Sequence, residues 1–411
     1  MKNDVLIIGG GASGLVCAIA TKLQKPNYKI TVLEKNNRVG KKLLATGNGR
    51  CNLGNIYASP QNYHSVSGNA EDFVKTALEE FNPQNNADFF HNLGLLIKTD
   101  EAGRQYPYTN QAGSVLDILR LQLEALEVTI ITDAPVTKIT KTDSFTVKTP
   151  QGDFKAEKLV LATGGIASPQ ISNSEGMDKV LQAFGHKTTE KFSALTQIKT
   201  AGNLPKALKG IRIPCEISLK NSDQIAQKES GEILFADYGV SGIPAFQLSR
   251  KVSENFAKNN PEKQTLVIDT LPQLSMAEIE ALLKNRRDNF STTLENYLTG
   301  IINKKLGQQI LKICGLSPLS RDSKTLLDGE IQTIAYLLKH LELNVTGTTG
   351  WKNAQVTAGG LYLSDFNNQT IESKIVAGFY AIGEALDIDG DCGGYNLTWA
   401  WSSARLTAQN L

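Results

Sequence analysis

Residues 4–24 read DVLIIGGGASGLVCAIATKLQ, and this stretch decides the fold. The continuous apolar run at 5–8 predicts a strand that is buried on both faces. Three glycines follow with the spacing GxGxxG, at Gly9, Gly11 and Gly14. Apolar residues then recur every four positions, which predicts a helix, at Leu15, Ile19 and Leu23. A strand, a glycine turn and a helix in this order are typical of a dinucleotide-binding unit.

A second strand follows the predicted helix and ends in an acidic residue. Residues 29–35 read KITVLEK, and Glu34 stands twenty residues after Gly14. A helix N-terminus favours a pyrophosphate, because its free N–H groups and its dipole face the anion. The Glu34 carboxylate is placed to accept hydrogen bonds from ribose hydroxyls. The alternative is a glycine-rich turn without a ligand, which leaves the second strand and its acid unexplained. The pattern alone does not separate FAD from NAD.

Two later segments favour FAD. The apolar strand in KLVLATGG (158–165) ends abruptly, as strands beside FAD commonly do, at Thr163, Gly164 and Gly165. The short strand in GFYAIGE (378–384) ends at Gly383 and Glu384. Many FAD proteins have an acid here that binds the ribityl hydroxyls, which is the role we expect for Glu384.

The C-terminal segment predicts how the flavin ring is held. A loop with two glycines, Gly393 and Gly394, leads into an apolar helix from about Leu397. The N-terminus of that helix would stabilise negative charge on the N1–O2 edge of the flavin. The nucleotide fold is therefore predicted to be split, with its first part at the N-terminus and its last strand and helix at the C-terminus.

The loop ATGNGRCN (45–52) suits neither a helix nor a strand. We interpret it as the segment that lines the ribityl chain and the isoalloxazine ring, because its glycines allow close approach and its polar side chains supply hydrogen bonds. The alternative is a solvated surface turn. The predicted contacts in this loop are Thr46, Gly47, Asn48, Gly49, Arg50, Cys51 and Asn52.

The chain resembles the YhiN/BaiN-like flavoproteins, NAD(P)/FAD-dependent oxidoreductases with aminoacetone-oxidase and bile-acid-intermediate-reductase members. The resemblance rests on GGGASGL (9–15), LEKNNRVGKKLLATGNGRCNLGN (33–55), GEILFADYGVSG (231–242), VTAGGL (356–361) and GEALDIDGDCGGYNLTWAWSSA (383–404). It implies an FAD domain that carries an insertion, one part β-barrel-like and one part helical. Separately, we expect the FAD to be bound non-covalently. Beyond the residues named above, the resemblance implies FAD contacts at Ala12, Ser13, Lys35, Lys42, Val136, Ala358, Gly359, Gly360, Tyr395, Asn396 and Leu397.

The predicted architecture is an α/β fold with a split, Rossmann-like, two-dinucleotide-type FAD domain. Residues 1–190 and 350–411 form that domain. Short strands with turn residues between them predict an inserted β-rich subdomain at 191–274. Helical spacing from Ser275 onward predicts a helical subdomain at 275–349.

Composition narrows the kinds of partner that we expect the protein to bind. The 411 residues hold 43 Lys and Arg against 41 Asp and Glu, a net charge of +2, with no dense basic run. We therefore expect no nucleic-acid partner. The five cysteines are scattered without CxxC spacing, which predicts no metal site and reduced thiols. The first apolar run is too short for a signal peptide or a membrane span, so we expect a cytoplasmic protein without a membrane partner.

The sequence predicts an FAD-dependent oxidoreductase that moves hydride between flavin N5 and a small organic molecule. The reaction is either oxidation of an amine or alcohol, with O₂ as acceptor, or reduction of an activated C=C bond. No second GxGxxG follows a strand, so we expect NAD(P)H at most as a transient donor. The alternatives are a flavin-dependent tRNA-modifying enzyme and an FAD-binding sensor without turnover. Substrate, catalytic acid or base, and oligomeric state are left open.

Several polar residues are candidates for further roles. A predicted loop between helices is expected either to line the substrate entrance or to pack as an ordinary surface loop, and it carries Tyr106, Tyr108 and Asn110. Asp237 and Tyr238 are candidates to overhang the flavin, and Tyr395 is a candidate hydrogen-bond donor. Cys51 and Cys392 are either a redox-active pair or two isolated buried thiols, the commoner case. The histidines, which lie in no motif, are expected to be structural or exposed: His64, His91, His186 and His340.

Overall fold

A computed structural model describes residues 2–171, 174 and 176–411. The chain divides into two compact units. The first unit comprises Met1–Ser193 and Ala354–Leu411, and the second comprises Ala194–Asn353. Among the described residues, no helix is long and apolar enough to cross a membrane.

The strands are, in chain order, β1 Lys2–Ile8, β2 Ile30–Leu33, β3 Gly54–Asn55, β4 Tyr63–His64, β5 Ile97–Thr99, β6 Arg104–Pro107, β7 Thr129–Ile131, β8 Lys138–Lys141, β9 Phe145–Thr149, β10 Gly152–Leu161, β11 Phe192–Ala194, β12 Ile198–Thr200, β13 Arg212–Asn221, β14 Gln224–Ala236, β15 Gly239–Ser241, β16 Gln264–Asp269, β17 Leu341–Thr348, β18 Val356–Ala358, β19 Phe379–Ala381 and β20 Asp389–Gly390.

The α-helices are α1 Ala12–Gln24, α2 Lys41–Ala45, α3 Ala70–Glu80, α4 Pro83–Asn92, α5 Ala112–Ala125, α6 Met177–Ala183, α7 Leu204–Ala207, α8 Ile243–Ala257, α9 Met276–Asn289, α10 Leu294–Tyr297, α11 Lys304–Ile313, α12 Asp328–Lys339 and α13 Tyr395–Asn410. Short 3₁₀ turns lie at Thr46–Gly49, Pro60–Asn62, Ser323–Thr325, Leu363–Asp365 and Gly383–Ala385.

The first unit is built on one large sheet. Its strand order is β7-β2-β1-β10-β9-β8, and β19 also pairs with β10. The strands β7, β2, β1, β10 and β19 run parallel, whereas β8 and β9 are antiparallel additions. A strand from the C-terminal segment thus lies in the same sheet as the N-terminal strand, which confirms the predicted split Rossmann-like fold.

The parallel strands explain why distant segments meet. Parallel strands present their carboxyl ends at the same sheet edge, where α/β proteins bind ligands. Here β1 ends at Ile8, β2 at Leu33, β10 at Leu161 and β19 at Ala381. The predicted site residues that directly follow these strands therefore share one edge.

The final helix α13 is buried almost throughout its length, unlike an amphipathic surface helix. Trp399 and Trp401 are each 1% exposed, and their indole groups bond to backbone carbonyls. Trp399 Nε1 donates to Gly383 O at 3.1 Å, and Trp401 Nε1 donates to Leu53 O at 2.8 Å. These bonds anchor two loops of the sheet edge to the same helix.

The second unit contains a closed barrel with the strand order β12-β15-β14-β13-β16-β17. The barrel and the helices α9 to α12 share one hydrophobic core. The predicted helical subdomain 275–349 is therefore wrong at its end, because β17 closes the barrel. Leu341, Leu343 and Val345 are buried in alternation with exposed neighbours, which is the period of a strand.

Candidate functional site

The first glycine turn has the geometry that a phosphate site needs. Gly9 has a φ of 114°, and a Cβ on it would lie 2.3 Å from Ala162 O. A Cβ on Gly14 would lie 2.0 Å from Gly9 O, so helix and strand touch here. In contrast, a Cβ on Gly11 would meet nothing within 4 Å. No side chain caps α1, so its N-terminal N–H groups and the open space at Gly11 suit an anion.

Glu34 is held by the protein in a fixed orientation. Its side chain is largely buried, with 8% of the residue exposed. Gly10 N donates to Glu34 Oε2 at 2.9 Å, and Asn36 donates to Oε1 through its backbone N at 2.8 Å and its Nδ2 at 2.7 Å. A carboxylate accepts more bonds than these three, so lone pairs remain for a ligand. The sequence did not predict the role of Asn36. The only sign of it in the sequence is an amide side chain two residues after the acid.

The predicted ribityl acid is the centre of a second cluster. Lys42 Nζ lies 2.7 Å from Glu384 Oε2, and Thr357 N donates to Glu384 Oε1 at 2.6 Å. A Cβ on Gly165 would lie 2.2 Å from Thr357 Oγ1 and 2.8 Å from Glu384 Oε1. A Cβ on the neighbouring Gly164, whose φ is 65°, would lie 3.8 Å from Glu384 Oε2. The structure thus brings together three predicted segments, and it adds Thr357, which sequence reasoning missed.

The two clusters are close neighbours. A Cβ on Gly383, whose φ is 61°, would lie 3.0 Å from Ser13 Oγ in the first turn of α1. Of the other implied contacts, Lys35 is exposed and Val136 is partly buried. Ala134 N bonds to Glu34 O at 2.9 Å, which brings the segment before Val136 beside the acid.

The glycines at 358–360 are required by the protein itself. A Cβ on Gly359, whose φ is 96°, would lie 2.4 Å from Glu190 O. A Cβ on Gly360 would lie 2.5 Å from the backbone C of Leu386, and Ala358 is fully buried in β18. These close contacts explain the glycines without a ligand, and contact of 358–360 with FAD stays a prediction.

The loop 46–52 adopts a backbone that few sequences allow. Gly47 and Asn48 have φ values of 56° and 55°, and Cys51 has a φ of 58°. Asn48, Gly49 and Arg50 are exposed, whereas Cys51 is buried. Within the described part of the chain, the buried Oδ1 of Asn52 has no hydrogen-bond partner. A buried acceptor without a partner is costly, and it suits a site that binds a polar ligand.

The loop before α13 is equally constrained. Gly393 and Gly394 have φ values of 127° and 106°, and a Cβ on Gly394 would lie 2.4 Å from Gly54 O. The Asn396 side chain exchanges two bonds of 2.8 Å with the backbone of Gly390. The helix begins at Tyr395, two residues before the predicted start, so both Asn396 and Leu397 lie in its first turn.

A hydrogen bond between a histidine and a carboxylate, which the sequence did not predict, supports this loop. His64 Nε2 lies 3.0 Å from Asp391 Oδ1, and Asn62 Nδ2 donates to Asp391 Oδ2 at 3.0 Å. His64 was expected to be structural or exposed, and it acts here as a support for the loop. Tyr63 OH adds a bond of 3.0 Å to Tyr395 O.

The remaining histidines have structural surroundings. His186 is fully buried among Phe184, Phe366 and Phe379, and burial lowers its pKa. His340 ends α12 and stacks on Tyr336. His91 lies on an exposed position of α4.

The two candidate cysteines are poorly suited to redox chemistry. Burial raises the pKa of the Cys51 thiol to about 12 and that of the Cys392 thiol to about 11. Both thiols are therefore protonated at neutral pH, whereas thiolates carry out nucleophilic and redox reactions. This favours the interpretation as isolated buried thiols.

The other candidates lie in both units. Tyr106 belongs to β6 rather than to the predicted loop between helices, and it is 7% exposed. Tyr108 is 63% exposed, and Asn110 is also exposed. Asp237 and Tyr238 form the turn between β14 and β15, where Asp237 pairs with Lys209 at 2.7 Å. Contact of this turn with the flavin stays a prediction.

Comparison with known proteins identifies the family. The sequence matches the family described as HI0933-like protein Rossmann domain over residues 3–410. The chain belongs to this family. It is thus an FAD-dependent oxidoreductase, in agreement with the prediction from its motifs and with the resemblance drawn from them.

Curated relatives span the whole HI0933-like chain. It is 32% identical over 409 residues to a 3-dehydro-bile acid delta(4,6)-reductase of Clostridium scindens. That alignment covers 99% of this chain and 98% of the relative. It is 28% identical over 423 residues to a ribosomal RNA dihydrouridine synthase of Escherichia coli. That alignment covers 100% of this chain and 98% of the relative.

Solved structures share the fold of the HI0933-like chain at low identity. A 3-ketosteroid delta1-dehydrogenase from Sterolibacterium denitrificans gives a TM-score of 0.51 at 12% identity, covering 100% of this chain and 99% of that one. A 3-ketosteroid-delta4-(5alpha)-dehydrogenase from Rhodococcus jostii gives a TM-score of 0.50 at 14% identity, covering 99% and 97%.

Proposed function

We propose that the chain uses FAD to reduce a carbon–carbon double bond that is conjugated with a carbonyl group. One observation supports the proposal: two relatives that align with the whole chain are named as enzymes that reduce this kind of bond, and their substrates are unlike each other. A 3-dehydro-bile acid with delta(4,6) unsaturation is a conjugated ketone, and the uracil C5–C6 double bond adjoins the C4 carbonyl. Because active sites vary more readily than folds, this pattern supports a shared reaction more strongly than a shared substrate.

Four parts of the first unit would hold the cofactor. The uncapped N-terminus of α1 would take the pyrophosphate. Glu34 would accept bonds from the ribose, and Glu384 would accept bonds from the ribityl chain. The N-terminus of α13 would favour negative charge on the flavin N1–O2 edge. Reduced FAD would supply the hydride, which carries the two electrons that a conjugated double bond accepts.

The reaction also needs a proton at the carbon next to the carbonyl. The loop before α13 and the first residue of α13 offer one weak acid each, Cys392 and Tyr395. Burial raises the pKa of Tyr395 above its ordinary value, with a smaller contribution from the Asp391 carboxylate. Burial likewise keeps the Cys392 thiol protonated at neutral pH. The ring of Tyr395 comes within 3.5 Å of the position that a Cβ on Gly393 would occupy. We take Tyr395 as the proton donor and Cys392 as the alternative.

The electron donor in this proposal is NADH or NADPH, bound transiently. The absence of a second GxGxxG in the sequence supports a transient site over a dedicated nicotinamide domain. A cytoplasmic location is part of the same proposal, since that compartment supplies reduced nicotinamide.

The test is an anaerobic titration of the FAD-loaded protein with NADH and with NADPH, followed by a probe substrate. One probe is a 3-oxo-4,6-diene steroid, and the other is a uridine-containing RNA. We expect the flavin absorbance to bleach with one nicotinamide and to return with one probe, whose product gains two mass units per bond.

A variant pair tests the role of Tyr395. Tyr395→Phe should slow the return of flavin absorbance by roughly a hundredfold, the usual worth of a positioned proton donor. It should leave bleaching by the nicotinamide unchanged, as should the control Tyr28→Phe. Bleaching without return on either probe, together with O₂ consumption on an amine or alcohol, would overturn the proposal in favour of an oxidase. Bound FAD that no donor reduces would favour a sensor.

A further inference from the structure

The side chain of Asn52 carries a buried acceptor that the protein itself does not use. Among the residues that the structure describes, none donates a hydrogen bond to Asn52 Oδ1. Nearly all buried polar atoms in folded proteins have a hydrogen-bond partner, so an exception calls for an explanation such as a bound ligand. An amide oxygen accepts hydrogen bonds and cannot donate them. The missing partner of Asn52 Oδ1 is therefore a donor.

The backbone around Asn52 is fixed on both sides. Before it, the 3₁₀ turn folds back so closely that a Cβ on Gly47 would lie 2.8 Å from Asn52 N. After it, Leu53 N donates to Gln105 O at 2.8 Å, and Leu53 O accepts from Trp401 Nε1 at 2.8 Å. Asn52 is thus held between the strand β6 and the buried helix α13.

The rest of the loop 46–52 is held to the same strand. The Arg50 guanidinium carbon lies 4.9 Å from the centroid of the Tyr106 ring in β6. Cys51 N donates to Thr46 O at 3.0 Å and closes the loop on itself. These contacts keep the acceptor of Asn52 at one position, as a group that orients a ligand requires.

Asn52 Oδ1 lies beside the N-terminus of α13. The atom is 2.8 Å from the position that a Cβ on Gly394 would occupy, and Gly394 directly precedes the helix. No side chain in the described part of the chain caps this helix. Its first N–H groups therefore suit an acceptor of a ligand. Donors of the helix and an acceptor of the loop are thus neighbours at this point.

The pyrimidine edge of a flavin carries the complementary groups side by side. N1 and O2 are acceptors, and N3–H, the next group along the edge, is the N–H donor of the oxidised ring. In the proposed placement of FAD, the N-terminus of α13 faces N1 and O2, so the adjacent acceptor of Asn52 would meet N3–H. The other donors of this half of FAD are the ribityl hydroxyls, which the same placement gives to Glu384.

We propose that Asn52 Oδ1 accepts a hydrogen bond from flavin N3–H and thereby orients the isoalloxazine ring. This inference rests on the proposed function, of which it deepens the placement of the cofactor. The pyrimidine edge then faces α13 and the loop 46–52, and the N5 edge is left for the substrate. A neutral acceptor suits this position, because a carboxylate would oppose the negative charge that reduction places on N1 and O2.

The test uses 3-methyl-FAD, in which a methyl group replaces the hydrogen on N3 and the rest of the cofactor is unchanged. The FAD-loaded full chain is equilibrated with an excess of both cofactors in equal amounts. The bound cofactors are then separated by gel filtration and their ratio is measured by mass spectrometry. We expect the parent to retain FAD over 3-methyl-FAD by roughly tenfold, the usual worth of one hydrogen bond.

Two variants assign this preference to Asn52. Asn52→Ala should retain both cofactors equally, because it removes the acceptor and leaves room for the methyl group. Asn52→Asp should keep the preference for FAD, because a carboxylate presents an oxygen whichever way the amide is turned. The matched control is Asn259→Ala, which removes an exposed asparagine of the second unit and should keep the parental ratio. A general loss of affinity for FAD cancels in this ratio.

Three results would overturn the inference. Equal retention of both cofactors by the parent would mean that Asn52 binds another donor, such as a ribityl hydroxyl. A tenfold preference that persists in Asn52→Ala would mean that a different acceptor binds N3–H. Loss of the preference in Asn52→Asp as well as in Asn52→Ala would exclude the hydrogen bond as its cause.

The outcome separates this inference from the proposed function. A preference for FAD that depends on Asn52, in a protein whose reduced flavin no conjugated probe reoxidises, would support the inference and overturn the proposed function. Reduction of a conjugated probe by a protein that retains 3-methyl-FAD as well as FAD would do the reverse.

Discussion

Gly394→Ala tests whether the N-terminus of α13 is held where the flavin needs it. Gly394 has a φ of 106°, and an added Cβ would lie 2.4 Å from Gly54 O and 2.8 Å from Asn52 Oδ1. A backbone conformation that side chains rarely adopt costs about 1–3 kcal/mol. Relief of the overlap with the Gly54 carbonyl requires a backbone shift, which costs about 1–2 kcal/mol more.

The expected loss is therefore about 2–5 kcal/mol of folding free energy, or roughly 4–10 °C in the unfolding temperature of the first unit. Because the shift separates Asn52 from the start of α13, we also expect weaker retention of FAD. The measurements are thermal unfolding by circular dichroism and the flavin absorbance that remains after gel filtration.

Gly113→Ala is the matched control. Gly113 lies in α5, and a Cβ on it would meet nothing within 4 Å. Alanine in a helix should raise stability by about 0.5–1 kcal/mol. If Gly394→Ala unfolds within about a degree of the parent and keeps its FAD, the close approach of the two loops does not determine the site and the reasoning is refuted.

Three further predictions concern the buried polar groups. Glu34→Ala should weaken FAD retention by about 1–3 kcal/mol in equilibrium dialysis, and parental retention would contradict the assignment of the adenosine end. Burial raises the pKa of Cys51 from about 9 to about 12 in the folded state. The protonated thiol therefore contributes fully to the free energy of unfolding below pH 9. This contribution is lost as the pH rises from 9 toward 12, by up to about 1.4 kcal/mol per pH unit. Urea unfolding of Cys51→Ala between pH 8 and 10.5 should show a smaller decline than the parent, and an identical decline would exclude this cause. Asp387 is fully buried and accepts hydrogen bonds from Ser65 Oγ at 2.7 Å and Ser67 Oγ at 2.6 Å. Asp387→Asn should therefore lower the free energy of unfolding by about 2–4 kcal/mol, measured by thermal unfolding. The exposed control Asp143→Asn should cause no measurable loss of stability.

The sequence predicted what local spacing encodes. The glycines at 9, 11 and 14 and the acid at 34 follow from turn, helix and strand geometry within one βαβ segment, and the structure places them at one sheet edge. The start of α9 was predicted from an equally local signal, since Ser275 and Glu278 form a capping box. The strand at 341–348 was missed, because its short alternating pattern directly follows a helical one and only its pairing with β12 and β16 fixes it.

The sequence by itself therefore determined the nucleotide fold, the cofactor class and most of the segments that meet at the site. The tertiary structure alone decided which side chains become partners. Lys42 and Glu384 are 342 positions apart, and Asn55 reaches Gly393 across 338. His64 gains its role only through Asp391, and Arg50 gains its aromatic neighbour only through β6. The physical reason is that periodicity and turn chemistry act over a few residues, whereas the edge of a parallel sheet and the buried helix α13 set which distant loops come into contact.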